Sequence, residues 1–263
     1  MIKINSVFRY LFVGFVTTLL AIAFHPNIQP TMSNNSMFLS TPSLAVDSES
    51  KDVDYMTNLG LMKGHLLVGK ELIAAGKVDQ AKPHFGHPVE ELYIDIENQL
   101  DERGVKQFKS SLNNLNDFVV AGAGDTNKLN SMYEETVQEI DTAISNLPDE
   151  KRQNSAFVLQ VINGLLDTAG AEYEAAILDG KIVEIIEYQD SRGFVDYAEI
   201  LYTNIADEMA SKYSDIDEKI QANMTELKKA WPSAIAPETA AMKPAKVSQL
   251  IEEIKQNSST INN

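Results

Sequence analysis

Three of the four histidines in this 263-residue chain, His65, His84 and His87, fall in one stretch, GHLLVGKELIAAGKVDQAKPHFGHPVEELY, from Gly64 to Tyr93. Imidazoles followed within one helical turn by Glu90 and Glu91 form a ligand set for zinc, copper or iron, whereas calcium and magnesium call for oxygen ligands throughout. On a helical wheel His65 shares the apolar arc of Leu61, Gly69 and Leu72, while Glu71 projects to the opposite side. An inward imidazole needs a partner for each nitrogen. Gly64 and Gly69 leave space beside it for another segment or an ion. Pro83 and Pro88 bracket the other two histidines, and a residue before proline is pushed out of helical geometry. His84 and His87 are therefore expected on a tight loop, with Pro88 opening the next helix. The expected metal site is His65, His84 and His87 with Glu91, or Glu90, as the carboxylate. The alternative gives all three histidines structural roles: a core residue, a surface residue and a helix cap.

A second constellation lies in EYEAAILDGKIVEIIEYQDSRGF, from Glu172 to Phe194. Helical spacing puts Glu184, Glu187, Tyr188 and Ser191 on one face, with Asp190 and Arg192 able to pair with neighbours. Carboxylate and phenol oxygens are hard ligands suited to ferric iron. Glu184, Glu187, Tyr188 and Asp190 are thus second-site candidates, the alternative being a solvated face or a buried polar network. No nucleophile elbow, phosphate loop or H-E-x-x-H motif occurs, so no enzymatic role is expected.

The elements that must position these residues read as helices. Apolar residues recur at spacings of three and four over residues 53–75, 88–102, 105–120, 126–146, 158–177 (a helix that stops at Asp179-Gly180), 181–213 and 215–231, and no run alternates as a strand does. The apolar face of 181–213 shifts around 190–193, which predicts a kink there or burial on both sides. The expected fold is all-α, an antiparallel helical bundle. ELIAAGKVDQAKPH and AAILDGKIVEIIEY align without gaps when Gly76 is set on Gly180, and His84 then falls on Tyr188. That faint echo raises the option of two stacked bundles from a duplication, with halves near 52–147 and 150–231. Residues 232–263 read as a Pro/Ala-rich linker, a short helix and a polar tail.

Residues 1–45 read as a leader. Two basic residues precede a 14-residue apolar run, LFVGFVTTLLAIAF, too short to span a bilayer comfortably. Small residues at Ser43 and Ala45 favour cleavage after Ala45; cleavage at Ala23 and retention as an anchor are the alternatives. Removing residues 1–45 takes away Lys3 and Arg9 and no acid, so the formal charge goes from −16 to −18. An acidic chain repels phosphate, which argues against nucleic acid. There is no cysteine, hence neither a disulfide nor a lipoprotein anchor. The expected protein is periplasmic or otherwise exported, soluble, and without a membrane span after processing.

LMKGHLLVGKEL, HFGHPVEELY and DGKIVEIIEYQDSRGF resemble stretches of exported, all-helical bacterial proteins of uncharacterised activity. More distantly they look like the imelysin-like proteins and the periplasmic component of ferrous-iron uptake systems, whose motif is G-x-H-x-x-E. Here Gly64 and His65 are adjacent, and the next glutamate, Glu71, comes six residues later. The resemblance implies a duplicated helical bundle associated with iron. One transition-metal ion (iron, copper or zinc), handled for uptake, is the expected cofactor or cargo, and a membrane permease or another exported protein is the expected partner. The alternative function is a non-catalytic structural or interaction module without a metal.

Overall fold

A computed structural model describes residues 43–261; the leader's apolar run and the Ala23 cleavage point lie outside these residues. Helix α1 (Ser43–Ala74) leads into α2 (Val78–His87), a π-helical turn (Pro88–Leu92) and α3 (Tyr93–Glu102). Then come α4 (Lys109–Val120), α5 (Thr126–Ser145) and the single turn α6 (Asp149–Arg152). The second half is α7 (Ser155–Ala176), a hairpin of β1 (Ile177–Leu178) and β2 (Lys181–Ile182), α8 (Ile185–Lys212), α9 (Ser214–Leu227) and α10 (Pro244–Ser258). The fold is all-α, and no described helix is long and apolar enough to cross a membrane.

Two sets of four helices can be followed through their neighbours. In the first, α1 lies beside α2, α2 beside α4, α4 beside α5, and α5 beside α1. In the second, α7 lies beside α8, α8 beside α9, α9 beside α10, and α10 beside α7. The sets meet where α1 packs along α8 and α7, which is why α1 is buried over a wide arc, from Tyr55, Met56 and Leu59 through Met62, Leu66, Val68 and Leu72. The turn after α1 is a Schellman motif: Lys77 N–H donates to Leu72 O and Gly76 N–H to Ile73 O, with Gly76 at φ +72°. It returns α2 antiparallel along α1.

Where α1 meets α8, the backbones touch. A Cβ on Gly193 would lie 2.3 Å from the Gly64 carbonyl oxygen, and one on Gly64 would lie 2.7 Å from the Phe194 ring. A Cβ on Gly69 would likewise meet the Phe85 ring at 2.7 Å, so that glycine admits Phe85 and brings α2 close to α1. These three glycines set the distances on which the polar cluster below depends.

Four sequence expectations need correction. Residues 83–88 are not a loop: Pro83 lies inside α2, and the chain passes through Pro88 in a widened π turn into α3. Each proline removes one amide donor from the helical ladder, and burial of Ala81, His84 and Phe85 against the neighbouring helices compensates. The helix expected to stop at Asp179-Gly180 ends already at Ala176, because 177–178 pair with 181–182 about a tight turn of Asp179 (φ +53°) and Gly180 (φ +79°). The helix expected from 181 starts only at Ile185, after β2, and of the two expectations for 190–193 it is burial on both sides that the structure has: Gln189, Asp190, Ser191, Gly193, Phe194 and Val195 are all buried. Finally, the short helix expected within residues 232–263 is present as α10, but it does not stand apart from the bundle. Helix α10 packs on α7 and α9 through Val247, Leu250, Ile251 and Ile254, and Ile261 is buried after it.

The glycine contact yields a stability prediction. Gly193→Ala should destabilise the protein by about 1–3 kcal/mol, since the added methyl meets backbone that cannot rotate away. Gly124→Ala, with nothing within 4 Å of its Cβ position, should stay within about 0.5 kcal/mol of the parent. Denaturant melts of the two variants check the difference.

Candidate metal centre

His65 on α1, His84 and His87 on α2, and Asp190 on α8 converge. One ligand atom from each lies within 4.8 Å of all the others. His84 and His87 are three residues apart on one helix and so share the face turned towards α1 and α8. His65 reaches the same point because α2 runs back along α1. Asp190 arrives through the glycine crossing of α1 and α8, three residues before Gly193.

One carboxylate serves all three rings. His65 Nδ1 is 2.7 Å and His84 Nδ1 2.6 Å from Asp190 Oδ1. His87 Nδ1 is 3.1 Å from Asp190 Oδ2, but off the line a hydrogen bond requires, which leaves that buried nitrogen unpaired. His65, His84 and Asp190 are 3 %, 0 % and 5 % exposed; the His87 side chain, at 13 %, is the group nearest solvent. Around an ion bound at about 2.1 Å, neighbouring ligand atoms stand roughly 3.0–3.4 Å apart. The three nitrogen–oxygen separations, 2.7, 2.6 and 3.1 Å, lie near that range, and all four ligand atoms fall within 4.8 Å of one another.

The electrostatics divide by burial. Burial alone would raise the Asp190 carboxyl, yet the charge and hydrogen bond of His65, the hydrogen bond of His84 and the nearness of His87 hold it well below the usual aspartate range. At His65 burial outweighs the attraction of Asp190 and the imidazole is pushed down, towards its neutral form. At His87 burial also lowers, but it is less complete, and Asp190, Glu91 and Glu90 together raise it. Glu172 on α7 is pushed up to about 7 by burial and by the negative charges of Asp190, Glu187 and Glu91. Burial, with the charges of Glu184 and Asp190, also raises Glu187. Carboxylates from α7, α8 and the π turn thus surround the His87 side of the cluster.

The carboxylate that lies among the three rings is Asp190, not Glu91 or Glu90. Glu91 Oε1 lies 3.9 Å from His87 Nε2, on the outer edge of a ring whose Nδ1 faces inward, and its side chain is 60 % exposed. The Glu90 carboxylate lies over Gly86, where a Cβ would sit 3.4 Å from Glu90 Oε1. The proposed second site also disperses. Tyr188 is fully buried and its hydroxyl donates to Ser233 O, while Glu184 is exposed at the start of α8 and Glu187 is half-buried beside the first centre. Of that set only Asp190 joins the histidines.

Two residues outside the sequence expectations complete the surroundings. The Gln189 side chain lies against His84, its Oε1 2.9 Å from His84 Nε2, and its amide nitrogen donates to Gln80 Oε1 and Ala234 O, each at 3.0 Å. The rest of the YQDSRGF motif clamps the segment between α9 and α10: Trp231 Nε1 donates to Ser191 Oγ, and Arg192 donates to Trp231 O while pairing with both carboxylate oxygens of Glu71. A polar residue beside Asp190 and a Trp near a Pro/Ala-rich segment were the available signals, but neither names its partner.

The opposite shifts of Asp190 and His87 fix a pH window. A depressed Asp190 contributes stability above the ordinary aspartate value of 3.8, lost as pH falls through its folded value. A raised His87 contributes stability in full below the ordinary imidazole value of 6.5, lost as pH rises through its folded value. In metal-free protein, Asp190→Asn should therefore destabilise most between pH 3.8 and 6.5, by about 3–5 kcal/mol as for one partner removed from a buried pair. Thermal melts of both proteins from pH 3 to pH 8 in chelator test the window; a pH-independent difference would contradict it.

Comparison with known families finds a similarity in the second half of the chain. Residues 148–263, from α6 to α10, match the model of the iron permease-associated 4-helix bundle domain, so the second helical set is similar to a bundle connected with iron uptake. Neither a curated protein nor a solved structure matches the chain.

Proposed function

We propose that the protein is an exported helical carrier or sensor of a transition-metal ion, with iron as its cargo, and that His65, His84, His87 and Asp190 hold the ion. The observation that carries this reading is the cluster itself: three imidazole Nδ1 atoms and a carboxylate, almost fully buried, with one imidazole nitrogen left unpaired among acceptors. Burying unpaired polar atoms is unfavourable, and an ion that accepts their lone pairs removes the penalty. Three nitrogens and one oxygen suit iron, zinc or copper and do not suit calcium or magnesium. The similarity of residues 148–263 to the iron permease-associated bundle favours iron and favours a permease as the partner that receives or supplies it. Glu91, Glu172 and Glu187 on the His87 side draw cations towards the most accessible ligand. The chain holds and passes an ion in this reading; it performs no covalent chemistry.

Divalent affinity in a mixed nitrogen and oxygen site rises from iron through copper and then falls to zinc, so binding strength in vitro does not identify the physiological metal. Elemental analysis of protein taken from its native compartment should find iron at one ion per chain. Stripped protein should bind ferrous, cupric and zinc ions at one site. His65→Ala, His84→Ala, His87→Ala and Asp190→Ala should each weaken binding by about tenfold or more. Glu90→Ala and Glu91→Ala should change it by less than about threefold, as residues outside the ligand shell. A triple histidine-to-alanine variant that still binds with parental affinity would assign the histidines a purely structural role.

A further inference from the structure

Resting on the metal-site reading, we infer that Gln189 is the positioning residue of the centre: it fixes His84 as the tautomer protonated at Nε2 and thereby commits Nδ1 to the ion. The Gln189 amide orientation is determined by its surroundings. Ala234 O is a backbone carbonyl and can only accept, so the atom 3.0 Å from it is the amide nitrogen. That leaves Gln189 Oε1, an acceptor, facing His84 Nε2 at 2.9 Å. Nε2 must then donate, which leaves Nδ1, 2.6 Å from Asp190 Oδ1, as the one nitrogen of His84 that can give its lone pair to an ion.

Without metal a proton shared between His84 Nδ1 and Asp190 Oδ1 satisfies this pair, and an ion bound at Nδ1 takes that proton's place. Gln189 thus determines which nitrogen of His84 is a ligand. The second amide hydrogen goes to Gln80 Oε1, so the Gln189 side chain has no freedom to turn its nitrogen towards His84 without losing two bonds. The same amide ties Ala234, in the segment between α9 and α10, to the first coordination sphere. Residues that donate or accept behind a ligating histidine commonly contribute 10–100-fold to metal affinity.

The test compares Gln189→Leu with Gln189→Glu, using zinc as the probe. Both variants lose the bond to Ala234 O and should melt at lower temperature, but glutamate still accepts from His84 Nε2. Gln189→Leu should weaken zinc binding by about tenfold or more, whereas Gln189→Glu should remain within about threefold of the parent. Equal affinity in parent and leucine variant, or equal losses in both variants tracking their melting temperatures, would overturn the inference. Long-range proton–nitrogen-15 correlation spectra, with His84 assigned through His84→Gln, should show Nε2 protonated in the metal-free and the zinc-loaded protein. An unprotonated or zinc-bound Nε2 would also overturn it. If the parent binds neither zinc, iron nor copper, the metal reading fails, while the metal-free spectrum still decides the tautomer.

Discussion

The approach of Gly64 to Gly193, where α1 crosses α8, governs the rest of the structure. A side chain at either position would hold the two backbones apart, because the Cβ would fall on carbonyl oxygen or an aromatic ring and not on a movable chain end. Contact at this point places His65, next to Gly64, opposite Asp190, less than one turn before Gly193. The Gly69 and Phe85 contact then draws α2 against the same stretch of α1 and delivers His84 and His87. The cluster is a consequence of small residues at helix crossings, and its precision comes from close packing that cannot relax without opening a cavity.

A single buried carboxylate among three imidazoles is an unusual allocation of charge. Asp190 Oδ1 faces two rings and Oδ2 a third, while Gln189 occupies the far nitrogen of His84. Every ring therefore presents Nδ1 to the same small volume. Protons can partly satisfy that arrangement, which is why Asp190 is held so far below its ordinary range, and a metal ion can satisfy all of it. The acidic residues around His87 then belong to the same electrostatic design, since they favour the arrival of positive charge on the side where the cluster nears solvent.

The YQDSRGF segment shows how much chemistry one helix turn can carry. Tyr188, Gln189, Ser191 and Arg192 each bond to the chain between α9 and α10, through Ser233, Ala234 and Trp231, and Asp190 turns the other way to the histidines. The mixed polar and apolar pattern there predicts a kink or burial on both sides. It marks a helix buried on two sides, one packed against α1 and the other against the returning C-terminal segment. That segment closes the second helical set, the part of the chain similar to the iron permease-associated bundle.

The sequence alone determined the helical class, because apolar spacing of three and four is a local property of each segment and needs no knowledge of its neighbours. It also determined that His65 points inward, and that His84 and His87 are close to each other. It misjudged Pro83 and Pro88 as loop boundaries, since local proline preference was outweighed by burial of Phe85 and His84 against other helices. It assigned the carboxylate to Glu91 or Glu90, within about one turn of His87 along the chain, and placed Asp190 in a separate set more than 100 residues from the histidine pair. Only tertiary structure could choose between them: which carboxylate reaches an imidazole depends on the crossing of two helices from different halves, and at that crossing two glycines decide the distance.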